Sequence, residues 1–389
     1  MSRPNRNEQF QAGEVCIVHA IQRCVRRAFL TGVDPVSGKD YSFRREWIRR
    51  RMEALASAFG IDVLTYAILS SHLHIILRNR PDVVALWSEE EVAQRWLKVF
   101  PGRRFEEHLA EPTEADVQAL IRDQERMAVI RSRLSDISWF MRALAEPVAR
   151  LANAQEKCTG RFWEGRFKAQ RLADDAGLLA CAMYVDLNPI RAAMAESPEQ
   201  AEHTSAYDRI QAERGAKIDS AAFDLRAVPT AEAGKKIRET PVQQRMQEQK
   251  AKRRNPTGKR VLRDSWLAPL ELASQTLSND PQAHAGGLRA SDRGFLCMDW
   301  SKYLELLQWT AAQRIKQAAS KVPQRLQSAL ASTGIEVSMW RDLVWDYKRY
   351  FGRSTCAGRP STMSADARRH NRRCHHGQQK ASECFLASG

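Results

Sequence analysis

The sequence predicts an α+β fold, with a sheet laid down early in the chain and helices between and after its strands. Three observations carry this. Residues 14–25 (Glu-Val-Cys-Ile-Val-His-Ala-Ile-Gln-Arg-Cys-Val) are β-branched and almost continuously apolar, as a central strand is. Phe43, Trp47, Ile48, Met52, Leu55 and Phe59 fall at helical spacing and Gly60 supplies a stop, so a helix is expected over about 41–59. The stretch Tyr66-Ala-Ile-Leu-Ser-Ser-His-Leu-His-Ile-Ile-Leu reads as apolar strands near 61–69 and 72–79, separated by the turn-favouring Ser70-Ser71. The order is strand, helix, strand, strand.

Residues 82–157 read as helical but interrupted, with breaks at Pro101-Gly102 and Pro112. The best-defined helix runs from Asp136 to about Gln155, carrying Trp139, Phe140, Leu144, Val148 and Leu151, with Ser135 or Asp136 as its cap. Residues 161–172 mix aromatic and basic side chains and fit a loop feeding a short strand. Asp174 and Asp175 then cap a helix through Leu178, Leu179, Cys181 and Tyr184. That helix stops at Asn188, because the residue before a proline disfavours the α region, and Pro189 suits the start of a new one.

The length of 389 residues accommodates more than one domain. Residues 1–212 form the first. From 213 to 265 the composition turns polar, and Arg245–Arg263 holds eight Lys or Arg against one Glu, as in a flexible basic linker or an arm contacting nucleic acid. Aromatic and aliphatic runs starting at Leu296 and Trp340 predict a helical unit over 266–352. The tail 353–389 lacks a packing pattern and is expected to be disordered. Within it, His370, Cys374, His375, His376 and Cys384 are metal-competent but lack the paired spacing of a zinc ribbon or finger. The eight cysteines include no CxxC pair, so reduced thiols are expected.

A formal charge of +15 favours a polyanionic partner, nucleic acid or an anionic membrane surface. No run of about 18 apolar residues exists and the first ten residues lack a signal-peptide core, which argues for the cytosol and against a membrane. No G-x-x-x-x-G-K-[ST] loop or Rossmann glycine fingerprint is present, so no nucleotide cofactor is expected.

His72 and His74, one residue apart on a strand, point to the same face and can share a metal ion. Tyr184 and Asn188, four apart on a helix, also share a face. Each has a plainer account: a histidine satisfied by backbone, a tyrosine closing a core, an N-cap before Pro189. The segment Arg161-Phe-Trp-Glu-Gly-Arg-Phe-Lys-Ala-Gln-Arg171 interleaves bases with aromatics, as a single-strand groove does, though a packed strand with basic flanks has the same composition.

Together, Tyr66–His74, Gly160-Arg-Phe-Trp-Glu-Gly-Arg-Phe167 and Tyr184-Val-Asp-Leu-Asn-Pro-Ile-Arg-Ala192 make the chain resemble the REP-associated tyrosine transposases, within the HUH-type single-strand transposases. His19-Ala-Ile-Gln-Arg23 resembles the family's first strand, and the likeness covers about residues 14–207. It departs at Ser71, where the family places asparagine. The resemblance implies a ferredoxin-like antiparallel sheet with helices on one face, followed by a helical C-terminal unit. It also implies cleavage of single-stranded or hairpin DNA through a 5′-phosphotyrosine on Tyr184, with His72, His74 and Asn188 holding Mg2+ or Mn2+. DNA contacts are expected at Arg23, Arg161, Trp163, Arg166, Phe167, Lys168, Arg171 and Arg191. Such a protein is bacterial, cytoplasmic and nucleoid-associated; whether it is a monomer or a dimer stays open. Competing readings are a non-catalytic, domesticated nucleic-acid-binding regulator and a cytosolic metallohydrolase, the latter leaving the tyrosine helix and the charge unexplained.

Overall fold

The computed structural model describes residues 13–25, 30–34, 38–101, 112–219, 260–272, 280–314 and 321–386. The expected strand, helix, strand, strand opening is there as β1 (Ile17–Arg23), α1 (Arg44–Ala58), β2 (Ile61–Ile68) and β3 (His72–Asn79). The interrupted helical stretch becomes α2 (Pro81–Ala85), α3 (Glu89–Val99), α4 (Glu114–Ile121), α5 (Gln124–Leu134) and α6 (Ile137–Gln155), with Asp136 accepting from the Ser138 N–H as cap of α6. Then come β4 (Lys168–Leu172), α7 (Asp175–Asp186), α8 (Asn188–Arg191) and α9 (Ser205–Glu213). Asp174 caps α7 by accepting from the Gly177 N–H, and Pro189 sits in the first turn of α8.

Of the expected linker, residues 220–259 lie outside the described residues. Its two ends pair as antiparallel β5 (Lys217–Asp219) and β6 (Arg260–Leu262). The main sheet has the order β2-β3-β1-β4-β7, where β7 is Cys356–Ala357. Its first four strands are antiparallel, but β7 runs parallel to β4, so the sheet is mixed. The fifth strand comes from the tail expected to be disordered, which also forms a helix over Pro360–Arg369. Its apolar anchors Met363, Ala367, Ala381 and Cys384 are buried, yet they are too sparse to show a period in the sequence.

Helices cover both faces of the sheet, not one. Val18, Ala20, Leu73, Ile75 and Leu77 pack with α1 and α6, whereas Leu64, Ala67 and Ile76 pack with α7. The cause is visible in β2, which is buried at all eight positions: a strand apolar at successive residues needs cover on each side. The C-terminal unit supplies part of that cover. Tyr303, Leu306, Trp340, Leu343 and Phe351 share one core with Leu178–Leu187 and do not form a core apart. A glycine at 177 makes the contact of α7 with β7 possible, since a Cβ there would lie 2.6 Å from the Ala357 carbonyl oxygen. The β2 edge is covered in turn, with the Ala268 N–H donating to Val63 and the Ile68 N–H to His203. No helix among the described residues is long and apolar enough to cross a membrane.

A buried charge network fastens β2 and β3 to the segment at 291–294. Asp62 accepts from Arg78 at 2.7 Å, from Arg80 at 3.4 Å and from the Ser291 hydroxyl at 2.7 Å, while Arg78 also donates to the Gly294 carbonyl. Removing the charge at 62 leaves two buried guanidinium groups short of a partner. Asp62→Asn is therefore expected to cost about 3–5 kcal/mol, read as a lower midpoint in urea denaturation with an unchanged slope.

Candidate functional site

Three imidazoles project from adjacent strands onto the face covered by α7. In the β1–β3 ladder Ile21 stands opposite His74 and Arg23 opposite His72, which places His19 diagonally from His74. The His19 and His74 rings are stacked with centroids 5.1 Å apart, and His72 meets His74 edge-on at 4.9 Å. Tyr184 reaches the same point from α7, its ring 5.5 Å from that of His74. Asn188 follows Tyr184 by one turn and is buried.

Hydrogen bonding orients these rings. The Gln170 amide nitrogen donates to the carbonyls of Phe351 and Ser354, so its oxygen is an acceptor, and it receives the Tyr347 hydroxyl at 2.8 Å. His19 Nε2 lies 2.9 Å from His74 Nδ1, so one of the two nitrogens donates and the other accepts. The other ring nitrogen of His74, Nε2, is buried and has no hydrogen-bond partner. On the neighbouring ring, His72 Nδ1 is held by the Ser71 hydroxyl at 3.1 Å, the position where the resembled family carries asparagine.

Burial holds the imidazoles neutral, lowering His72 to about 4 and His19 to about 3 and His74 well below its ordinary value. The same cause pushes the Tyr184 phenol up to about 12, opposed by Arg191, whose guanidinium sits 5.0 Å over the ring, and by Asn188. The Tyr184 hydroxyl and the Asn188 amide nitrogen are buried without a hydrogen-bond partner. Two neutral imidazoles, one with a buried, unpartnered ring nitrogen, suit a divalent cation, so the donors present fit the metal that the resemblance implies.

Cations rim this cluster. Besides burial, Lys348, Arg23 and Lys168 depress His72, and Lys348 is itself held down by burial and by Arg191, Arg23 and Lys168. Arg23 pairs with Glu164 at 3.3 Å, while Arg161, Arg166 and Lys168 are exposed. The other expected DNA contacts are engaged elsewhere. Phe167 is in the core, Trp163 is half-buried with its indole N–H donating to Ala145, and Arg171 is largely buried, bound to Glu14 at 2.7 Å and Asp366 at 3.3 Å. Arg191 donates to the Trp345 carbonyl.

Sequence reasoning missed His19 as a site residue, and with it Gln170, Tyr347 and Lys348. His19 carried a signal, an imidazole on the face opposite Val18 and Ala20 in a strand read correctly. Tyr347 carried none, because its ring stacks on Tyr184 at 4.8 Å across more than a hundred residues of chain.

No known family and no curated protein matches the sequence. Among solved structures the fold is similar to that of a REP-associated tyrosine transposase bound to a REP hairpin, at 12% identity and a TM-score of 0.32. The alignment spans 61% of this chain and 99% of that one.

The depressed histidines make an acid-side prediction. The unfolded chain takes up protons as pH falls through about 6.5, whereas His72 and His19 in the fold wait until about 4 and about 3. Stability is then complete above pH 6.5 and falls through this window, by about 1.4 kcal/mol per pH unit for each group. Thermal denaturation in chelator from pH 8 to 4 is expected to show a flat region and then a steep decline. His19→Gln makes the decline shallower.

Proposed function

We propose that the chain is a metal-assisted DNA-nicking and strand-transferring protein acting on single-stranded or hairpin DNA. One observation carries the reading: an unpartnered tyrosine hydroxyl beside an imidazole whose Nε2 is also unpartnered, inside a rim of Arg23, Lys168, Arg191 and Lys348. The Tyr184 oxygen attacks the scissile phosphorus and loses its proton. A Tyr–O–P bond forms, the bond from phosphorus to the 3′-oxygen breaks, and that oxygen leaves with a proton as a 3′-hydroxyl. Arg191 favours the phenolate this requires. His72, His74 and Asn188 would hold Mg2+ or Mn2+, which when bound polarises the phosphate. The cationic rim holds the flanking phosphates, and the phosphotyrosine conserves the bond energy for rejoining without a nucleotide.

Tyr184 is only 1% exposed, so this chemistry requires the segment bearing Tyr347 to withdraw. The same burial favours a second reading, a nucleic-acid-binding regulator that keeps the rim and uses Tyr184 for packing alone. Covalent chemistry separates the two. Incubation with hairpin-flanked single strands and manganese is expected to give a denaturation-resistant adduct that mass spectrometry maps to Tyr184. Tyr184→Phe keeps the ring's packing and should bind DNA as the parent does while forming no adduct. An adduct on Tyr207 overturns the assignment of the nucleophile, and none from the parent with its binding intact rules out the nicking mechanism.

The sealing residue yields a separate expectation. Tyr347→Ala removes the ring stacked on Tyr184 and is expected to raise adduct yield several-fold at equal DNA occupancy. Affinity for single strands should fall with salt at a log–log slope of about −0.7 per phosphate neutralised.

A further inference from the structure

We propose that Cys356, Asp366 and His375 form a zinc site that staples the C-terminal segment to the edge of the sheet. The cluster is distinct from the imidazole site and does not depend on the proposed function. A thiol sulfur, a carboxylate oxygen and an imidazole nitrogen lie within 4.8 Å of one another there, all buried. Cys356 comes from β7, Asp366 from the helix Pro360–Arg369, and His375 from the turn that follows.

The donor set selects the ion. Sulfur, nitrogen and oxygen together suit zinc, whereas magnesium and calcium want oxygen alone. The ligand orientations also suit it. Thr355 Oγ lies 3.2 Å from His375 Nδ1 and fixes the ring so that Nε2 faces Asp366 Oδ2 at 2.9 Å. Arg171 occupies the other oxygen, Oδ1, at 3.3 Å, while Oδ2 is faced by His375 and, at 3.6 Å, by His370 Nδ1. The Thr355 hydroxyl can accept as well as donate, so His375 keeps its support when Nε2 gives up its hydrogen to bind metal.

The local fold has reason to use such a staple. β7 is two residues long, and the helix after it buries only Met363 and Ala367, too little apolar surface to hold these pieces alone. An ion bound by all three segments fixes their arrangement directly. Asp366 also lines a cleft of about 650 Å³ between the sheet end and this helix, and a water would complete a four-coordinate ion. Binding displaces one thiol proton to solvent, and nothing is oxidised or reduced.

The test uses the full-length chain, stripped of metal and titrated with zinc or cobalt. One equivalent per chain is expected at this site, and the cobalt form should show a thiolate-to-cobalt charge-transfer band. His72→Ala with His74→Ala, and separately Cys374→Ser, should keep the band; Cys356→Ser should lose it. His375→Gln should weaken binding by at least about tenfold, the scale on which lost ligand support acts. A parent chain that binds cobalt without a sulfur band overturns the assignment with no variant needed, so a folding defect cannot mask the answer. A band that survives Cys356→Ser overturns it too.

Discussion

A sheet that is apolar on both faces has to be covered on both, and much of this structure follows from that requirement. β1, β2 and β3 carry apolar residues at successive positions, so neither face can be left to solvent. The helices between β1 and β4 cover one side. α7 alone is too short to cover the other, and residues including Leu270, Phe295, Tyr303, Leu306, Trp340 and Phe351 complete it. A C-terminal region that reads as a separate unit thus becomes half of the main core. The polar ties between the two, Arg78 to the Gly294 carbonyl and Asp62 to Ser291, are buried accordingly.

The same cover determines the state of the imidazole cluster. Polar groups on a sealed face need partners, and the chain provides them as two pairs, Tyr347 with Gln170 and His19 with His74. The remaining nitrogen of His74 is left without one. A purely structural arrangement has no reason to stop there, since an orphaned buried polar group costs about 1–3 kcal/mol. Something that satisfies His74 Nε2 therefore gains affinity from a penalty the protein already carries.

How far the sequence reveals this depends on the range of the interactions. Strand and helix placement up to α7 rests on local patterning, and β1, α1, β3, α6 and α7 all fall within a few residues of where periodicity and capping put them. The pairing of His72 with His74 is equally local. Gln170 and Tyr347 could not be found this way, because their roles arise from packing between segments 177 residues apart. β7 was hidden for a related reason: two residues at an edge make no pattern, and their strand character comes from the exposed side of β4. Arg171 shows the opposite error, a base that reads as a DNA contact but is spent on Glu14 and Asp366.

The cationic rim gives the sealed site a physical route to opening. Lys348 belongs to the same short helix as Tyr347, and its charge is disfavoured by burial and by Arg191, Arg23 and Lys168. The helix that closes the site therefore carries a repulsion in its closed position. Arg191 opposes this by donating to the Trp345 carbonyl, just before that helix. On the proposed reading, a phosphate entering the rim competes for Arg191 and screens the other charges at once. It weakens the contact that holds the segment down and gives Lys348 a partner outside. Closure lowers the apparent affinity in proportion to the fraction of molecules that are open, and a polyanion with several phosphates in reach offsets that loss better than a single anion can. The rim then favours strands over mononucleotides, even though the tyrosine and the imidazoles act on one phosphate at a time.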